Sequence, residues 1–238
     1  MYAAFRPRYP DALFQWLAGL APGRATAWDC GAGSGQASLG LAEHFERVIA
    51  TDASAGQLRE APKHPRIEWR VAPAERSGLS SSSVVLVTVA QALHWFDVPA
   101  FYAEVERVLV PGGVLAVWSY QLLSLGDAMI DRAIAEFYSG TLGPYWPPER
   151  RLVDEGYRSL PFPWQEIAPP PLTMEARWDL AHLVGYLRSW SATARYLAAH
   201  GSDPVERVER RLAAAWGDPA ELRTARWPLT CRAGRRPA

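Results

Sequence analysis

The sequence predicts an α/β fold, a doubly wound and mostly parallel sheet, and three observations support it. Residues 25–119 alternate between short apolar runs and amphipathic helical patterns, which is typical of successive βαβ units. A glycine-rich turn follows the first apolar run, as at the first turn of such a sheet. The run Val84–Ala90 is continuously apolar or β-branched, which indicates a central parallel strand buried on both faces.

The elements of the first half follow from apolar spacing. Leu13, Phe14 and Leu17 recur at helical intervals, whereas Ile67–Val71 alternates apolar with polar residues like a strand. Val110–Gly113 is predicted to be a turn because it contains proline and paired glycines. The predicted elements are a helix from Asp11, strands at Ala25–Trp28 and Arg47–Thr51 on either side of a helix after Gly35, a helix at Ser54–Ala61, strands at Ile67–Val71 and Val84–Ala90, a helix at Pro99–Leu109 and a strand at Val114–Ser119.

The second half alternates less regularly and predicts several helices followed by a strand. The predicted elements are a helix at Leu122–Gly140, a rigid loop at Thr141–Pro148, a strand near Gln165–Ile167, helices at Asp179–Arg188, Ser191–His200 and Pro204–Trp216, and a strand at Thr224–Cys231. We expect a single domain over residues 1–238, with an arm and helix at 1–24, a cofactor-binding core at 25–119 and a helical cover at 120–238.

The glycine turn is the most specific motif in the chain. Gly31, Gly33 and Gly35 occupy alternate positions behind Asp29, and Ala32 lies between the first two. The dinucleotide pattern G-x-G-x-x-G requires glycine where Gln36 stands, and the lysine of a P-loop is absent. An acid in front of the turn suits a ligand that carries positive charge and would repel a pyrophosphate. The turn therefore predicts a cofactor site, with a glycine-rich turn that binds nothing as the alternative.

Acidic and small residues follow the next strands at the same edge of the predicted sheet. Asp52 and Ala53 lie about twenty residues beyond the glycines, where a carboxylate accepts hydrogen bonds from ribose hydroxyls. The alternative is that Asp52 caps the next helix. Ala74 and Glu75 are expected to meet an adenine edge, or to be an ordinary loop, and residues 90–91 are expected to face the same crevice.

The amino-terminal arm combines aromatic residues, arginines and prolines without a regular pattern. Tyr2 and Arg6 are predicted to reach the cofactor if this arm closes over the site, and an arm packed by its aromatic side chains is the alternative.

These motifs together resemble the class I S-adenosylmethionine (SAM) dependent methyltransferases that carry the methyltransferase type 11 domain, including trans-aconitate methyltransferase-like proteins. The segments that carry the resemblance are Phe5–Pro10, Asp29–Gly35, Asp52, Ala74–Glu75, Ala90–Asp97, Leu109–Gly113, Gly185–Ser191 and Arg226–Leu229. The resemblance implies a seven-stranded sheet with an antiparallel edge, SAM as cofactor, S-adenosylhomocysteine as product and a small-molecule acceptor methylated on oxygen, nitrogen or carboxylate. The chain departs from the family at Val85 and Pro73, where an acid is frequent, and the second departure puts an adenine contact from residue 73 in doubt.

The acceptor side is less well defined by the sequence. Methyl transfer chiefly requires alignment of the reacting atoms, and a base is needed only for a protonated acceptor. His94 is the candidate base, with loop orientation as its alternative role, and Arg188 or Arg6 is a candidate clamp for a carboxylate. Aromatic side chains that line a substrate pocket, or else pack in the core, are Trp95, Tyr145, Trp146 and Trp190.

The composition of the chain limits its possible partners, metal sites and membrane segments. Formal net charge is zero, which argues against nucleic acid as a partner. The two cysteines and five histidines lack the spacing of a disulfide framework or a metal site, and no long apolar span predicts a membrane segment. We expect a cytoplasmic monomer or homodimer. The alternative functions are a SAM-binding protein without turnover and, less favoured by the glycine pattern, a NAD-type oxidoreductase.

Overall fold

A computed structural model describes residues 7–238 and contains a sheet of eight strands. The strands are β1 (Thr26–Cys30), β2 (Arg47–Asp52), β3 (Ile67–Val71), β4 (Val84–Ala90), β5 (Leu109–Tyr120), β6 (Glu166–Ile167), β7 (Thr173–Trp178) and β8 (Arg223–Arg235). The α-helices are α1 (Asp11–Leu20), α2 (Gln36–Ala42), α3 (Ala55–Arg59), α4 (Val98–Val108), α5 (Ala128–Glu136), α6 (Arg150–Asp154), α7 (Leu180–Arg188), α8 (Ser191–His200) and α9 (Val205–Trp216).

The strand order confirms the predicted doubly wound sheet. It runs β3-β2-β1-β4-β5-β8-β6, with parallel pairing from β3 to β5 and antiparallel pairing of β8 with β5 and β6. The sheet has one strand more than the seven expected. The strand order reverses direction between β1 and β4, which are neighbours in the sheet. A crevice that can hold a ligand forms at the carboxyl ends of the two strands at such a reversal. The glycine turn after β1 and the loop after β4 both begin at this point.

Burial on both faces of the parallel strands explains their apolar sequences. Along β1, Ala27 packs into one core with residues of α1 and α2, and Trp28 packs into the opposite core with Phe101 of α4. Successive side chains of a strand point to opposite faces, so each face of the sheet is covered by helices.

Several predicted boundaries are wrong for identifiable reasons. Strand β1 continues to Cys30, beyond the predicted end at Trp28, and includes Asp29, which is fully buried although it is polar. The predicted turn Val110–Gly113 lies within β5 as an irregularity, since pairing with β4 resumes at Val114. Helix α5 begins only at Ala128, because the Asp127 carboxylate accepts hydrogen bonds from two N–H groups of the first turn. Helix α6 and strand β7 were not predicted.

The chain divides into two compact units. The sheet unit contains Tyr9–Tyr120, Arg151–Leu172 and Leu229–Ala238. The helical unit contains Gln121–Arg150 and Thr173–Pro228, and within it β7 pairs antiparallel with the first part of β8. The single domain expected for residues 1–238 stays a prediction.

Across residues 7–238, none of the helices combines the length and the apolar character that spanning a membrane requires.

Candidate cofactor-binding site

The glycine turn after β1 adopts a conformation that other residues rarely tolerate. Gly31, Gly33 and Gly35 have φ angles of +68°, +56° and +91°. A Cβ on Gly33 would have no neighbour nearer than Gln57 Oε1 at 3.9 Å. The turn therefore leaves open space beside Gly33, where a ligand can approach the backbone.

Gly31 and Gly35 are instead packed closely by neighbouring side chains. A Cβ on Gly31 would lie 2.6 Å from Ala92 Cβ and 3.0 Å from Phe96 Cζ, and a Cβ on Gly35 would lie 2.2 Å from Trp69 Cη2. Because Ala92 and Phe96 belong to the loop after β4, the turn and this loop lie against one another. The expected convergence of the β1 and β4 loops is thus present in the fold.

Asp52 connects the end of β2 to the glycine turn. Its Oδ2 accepts a hydrogen bond from the Gly33 N–H at 2.9 Å, and its Oδ1 accepts one from the Ser54 N–H at 2.8 Å. Ser54, not Asp52, caps α3, because Ser54 Oγ accepts from the Gln57 N–H. The alternative that Asp52 is a helix cap is therefore wrong. Each carboxylate oxygen retains acceptor capacity for a further donor, and exposed Ala53 follows directly.

Asp29 lies behind the turn and is fully buried. Its Oδ2 accepts from Ser38 Oγ at 2.5 Å and its Oδ1 accepts from Thr88 Oγ1 at 2.9 Å. Burial raises the pKa of this carboxyl from 3.8 to about 6, the two hydroxyls oppose the rise, and the charge of Asp52 adds to it. A direct contact between Asp29 and a ligand stays a prediction, and its two hydroxyl partners give the carboxylate a structural role as well. The carboxylate joins β1 to α2 and β4 and places negative charge behind the turn.

The loop after β4 begins with a strained residue. Gln91 is not a glycine, yet its φ is +58°, and its N–H donates to the Trp118 carbonyl at 2.9 Å. Its Oε1 is buried and has no hydrogen-bond partner among the described residues. A strained residue with an orphaned acceptor is common at ligand sites. Gln91 thus fits a site whose ligand brings a hydrogen-bond donor, and Ala90, the last residue of β4, is half-buried beside it.

The loop after β3 joins the same edge. Ala74 is buried, and Glu75 Oε1 accepts a hydrogen bond from the Asp97 N–H at 2.9 Å. The Glu75 side chain therefore ties the loop after β3 to the loop after β4. Its backbone stays the predicted adenine contact.

His94 lies in a short 3-10 turn, Leu93–Trp95, two residues after Ala92. Its Nδ1 is 3.2 Å from the hydroxyl of Tyr157, and its ring centroid is 4.6 Å from that of Trp95. Trp95 is 60% exposed, so it presents an aromatic surface beside His94. Sequence reasoning missed Tyr157, because no motif surrounds it.

The remaining candidates lie in the helical unit. Trp190 is buried and Trp146 half-buried, with ring centroids 5.7 Å apart, and the Arg150 guanidinium covers Trp146 at 4.9 Å. Trp190 also packs against the rings of Phe137, Tyr138 and Tyr186, and its predicted place in a substrate pocket stays a prediction. Tyr145 contacts His200 through its hydroxyl.

Arg188 pairs with Asp203 at 2.8 Å and with Glu209 at 2.7 Å. Two carboxylates already pair with its guanidinium, and the predicted clamp for an acceptor carboxylate stays a prediction. Tyr2 and Arg6 lie outside the described residues.

Comparisons with known proteins give consistent matches. Residues 28–117 match a family model described as a methyltransferase domain. A protein of Anaeromyxobacter dehalogenans assigned as a type II methyltransferase is 49% identical, and its structure matches 98% of this chain and 99% of its own with a TM-score of 0.92.

Curated relatives carry the same assignment. A protein of Dictyostelium discoideum assigned as a methyltransferase is 35% identical over 218 residues, which is 90% of this chain and 83% of its own length. A protein of Mycobacterium tuberculosis named an uncharacterised methyltransferase is 38% identical over 129 residues, about half of each chain. A Bacillus halodurans structure, 18% identical with a TM-score of 0.52, shares the fold alone.

Proposed function

Because the chain belongs to the class I SAM-dependent methyltransferases, we propose that its glycine turn and the loops after β2, β3 and β4 hold SAM. The acceptor is a small molecule, methylated on an oxygen, a nitrogen or a carboxylate. Zero formal net charge supports a small acceptor over a nucleic acid. The narrower resemblance to trans-aconitate methyltransferase-like proteins stays a prediction.

The bond between Asp52 and Gly33 carries this proposal. It holds a half-buried carboxylate 2.9 Å from the backbone of the turn, beside the open space at Gly33. A carboxylate in this position accepts hydrogen bonds from both ribose hydroxyls of the cofactor.

Other described residues supply complementary groups. The buried negative charge of Asp29 favours the cationic ammonium and sulfonium, since Coulomb attraction acts at a distance in a poorly solvated site. The unpartnered Oε1 of Gln91 accepts a hydrogen bond from the ammonium group. The backbone at Ala74 and Glu75 meets the adenine edge.

When bound, SAM supplies an activated methyl group on a cationic sulfur. The protein then has to hold the acceptor atom in line with that group and exclude water. The exposed ring of Trp95 offers an aromatic face that favours a cation, and the neighbouring His94 contacts the acceptor.

Calorimetry with the purified chain tests the cofactor assignment. We expect binding of SAM and S-adenosylhomocysteine and no binding of NAD. Binding of NAD alone would restore the oxidoreductase alternative and overturn the proposal.

A second assay follows labelled methyl from SAM into a panel of small acids, phenols and amines. Transfer to at least one member supports the proposed function. Tight SAM binding without transfer to any member would favour a binding protein that lacks turnover.

A further inference from the structure

Tyr157 is a fully buried tyrosine in a backbone conformation that tyrosine rarely adopts. Its φ is +59°, directly after Gly156 with a φ of +61°. A left-handed non-glycine residue persists only where its surroundings hold it, and such residues cluster at functional sites. None of the sequence motifs accounts for it.

Neighbouring groups hold the Tyr157 backbone on both sides. Its N–H donates to the Leu152 carbonyl at 2.8 Å, and its carbonyl accepts from Arg232 Nη1 at 2.6 Å. Arg232 is itself fixed by two hydrogen bonds to the Glu166 carboxylate, at 3.0 Å and 2.7 Å. The backbone of Tyr157 is therefore held in place on both sides.

In this arrangement, the Tyr157 hydroxyl lies within hydrogen-bond distance of His94. The oxygen is 3.2 Å from His94 Nδ1, and the two rings are 22° from parallel with centroids 6.2 Å apart. His94 belongs to the loop whose Ala92 packs against Gly31 of the turn. Tyr157 thus contacts His94, which belongs to a loop of the candidate site.

The chemistry of the two groups favours one direction for this hydrogen bond. The nitrogen of a neutral imidazole accepts a proton far more readily than a phenol oxygen does. The bond is therefore strongest when Tyr157 O–H donates to an unprotonated Nδ1, which leaves the ring proton on Nε2.

We propose that Tyr157 is a positioning residue that holds neutral His94 in the Nε2–H tautomer. With Nδ1 accepting from Tyr157 and the proton on Nε2, His94 does not act as the general base for the methyl acceptor. This inference rests on the proposed function, because it needs an acceptor molecule beside His94.

Nitrogen-15 NMR of histidine-labelled protein tests the proposal without an acceptor. Spectra are recorded well above the ordinary pKa of histidine, and loss of one signal set in His94→Gln identifies His94 among the five histidines. We expect Nδ1 at the shift of an unprotonated nitrogen and Nε2 at that of a protonated one. In Tyr157→Phe, both signals should move towards the average of the two tautomers.

Tyr102→Phe is the matched control, since the Tyr102 hydroxyl donates to the Pro161 carbonyl at 3.0 Å in the same unit. It should leave the His94 signals unchanged. An Nδ1–H tautomer in the wild type, or an unchanged tautomer in Tyr157→Phe, would overturn the proposal. The Nδ1–H outcome in the wild type overturns the proposal even if Tyr157→Phe fails to fold, and Tyr157→Trp then serves as the second variant without the phenol hydroxyl. Failure of wild-type SAM binding would instead reject the proposed function and leave the tautomer result standing.

Discussion

Asp52 accepts a hydrogen bond from the backbone N–H of Gly33 at 2.9 Å, although 19 residues separate them in the chain. The parallel register of β1 and β2 brings the two together, because it pairs Asp29 with Ala50 and Cys30 with Thr51. An acid that ends β2 therefore arrives beside the turn that follows β1. One contact thus joins the two most specific features of the sequence.

Asp52→Ala should weaken SAM binding by about tenfold to a hundredfold. This range corresponds to the net loss of about one hydrogen bond from a ribose hydroxyl to a charged acceptor, worth roughly 1.5–3 kcal/mol, because water replaces part of the pairing with the two hydroxyls. Asp52→Asn should weaken it less, because one acceptor oxygen remains. Calorimetric titration with SAM measures both.

Asp11→Ala is the control for these variants, because the Asp11 carboxylate is exposed and pairs with His44. It should leave the SAM affinity unchanged. An unchanged SAM affinity in Asp52→Ala would contradict the assignment of Asp52 to the ribose hydroxyls. Equal losses of SAM affinity in Asp11→Ala and Asp52→Ala would indicate a general effect on folding.

Gly31→Ala should lower the free energy of unfolding by roughly 2–5 kcal/mol. A left-handed alanine costs about 1–2 kcal/mol, and the new Cβ would also press on Ala92 at 2.6 Å. Gly78→Ala separates the two contributions, because Gly78 has a φ of +71° but no atom within 4 Å of a new Cβ. Urea unfolding of both variants should show the larger loss for Gly31→Ala, and equal losses would contradict the close packing of the turn.

The parallel core was predictable from sequence because its strands are simple in composition. The first and last residues of the strands Ile67–Val71 and Val84–Ala90 were predicted correctly. A short apolar or alternating run that is bounded by turns is typical of a β-strand. Strand β7 was missed although Met174 and Trp178 are buried and Thr173 and Glu175 exposed, an alternation already present in the sequence.

The chemistry of the site was predictable only in part. The positions of the glycines and Asp52 follow from a short motif and one spacing. Asp29 is buried with hydrogen bonds from Ser38 and Thr88, and neither residue belongs to a motif that could be identified in the sequence. Tyr157 lies 63 residues from His94, and a left-handed conformation leaves no pattern in a sequence. Contacts of this kind come from the tertiary fold alone.

Asp29→Asn should change how stability depends on pH. The folded protein binds the Asp29 proton more tightly than the unfolded chain does, since its pKa is about 6 instead of 3.8. Raising the pH through this window therefore lowers the free energy of unfolding, and acidification restores it. Relative to Asp29→Asn, the wild type should gain roughly 2–3 kcal/mol between neutral pH and about pH 4.

Urea unfolding at a series of pH values measures this difference. Asp11→Asn is a control of opposite sign, because hydrogen bonding to His44 lowers the pKa of Asp11 and its contribution is lost on acidification. A difference between wild type and Asp29→Asn that stays constant across the window would show that Asp29 is not perturbed by burial.

Arg232→Lys should destabilise the sheet unit by roughly 2–4 kcal/mol. The Arg232 side chain is only 10% exposed and also donates to the carbonyls of Tyr157 at 2.6 Å and Leu160 at 2.8 Å. A lysine ammonium lacks the planar fork that serves these carbonyls and a carboxylate together. Glu166→Gln should cost less than about 1 kcal/mol, because that side chain is 47% exposed and its amide oxygen still accepts. Urea unfolding of the two variants decides between these roles: equal losses would mean that the ion pair, and not the two carbonyl contacts, carries the stabilisation.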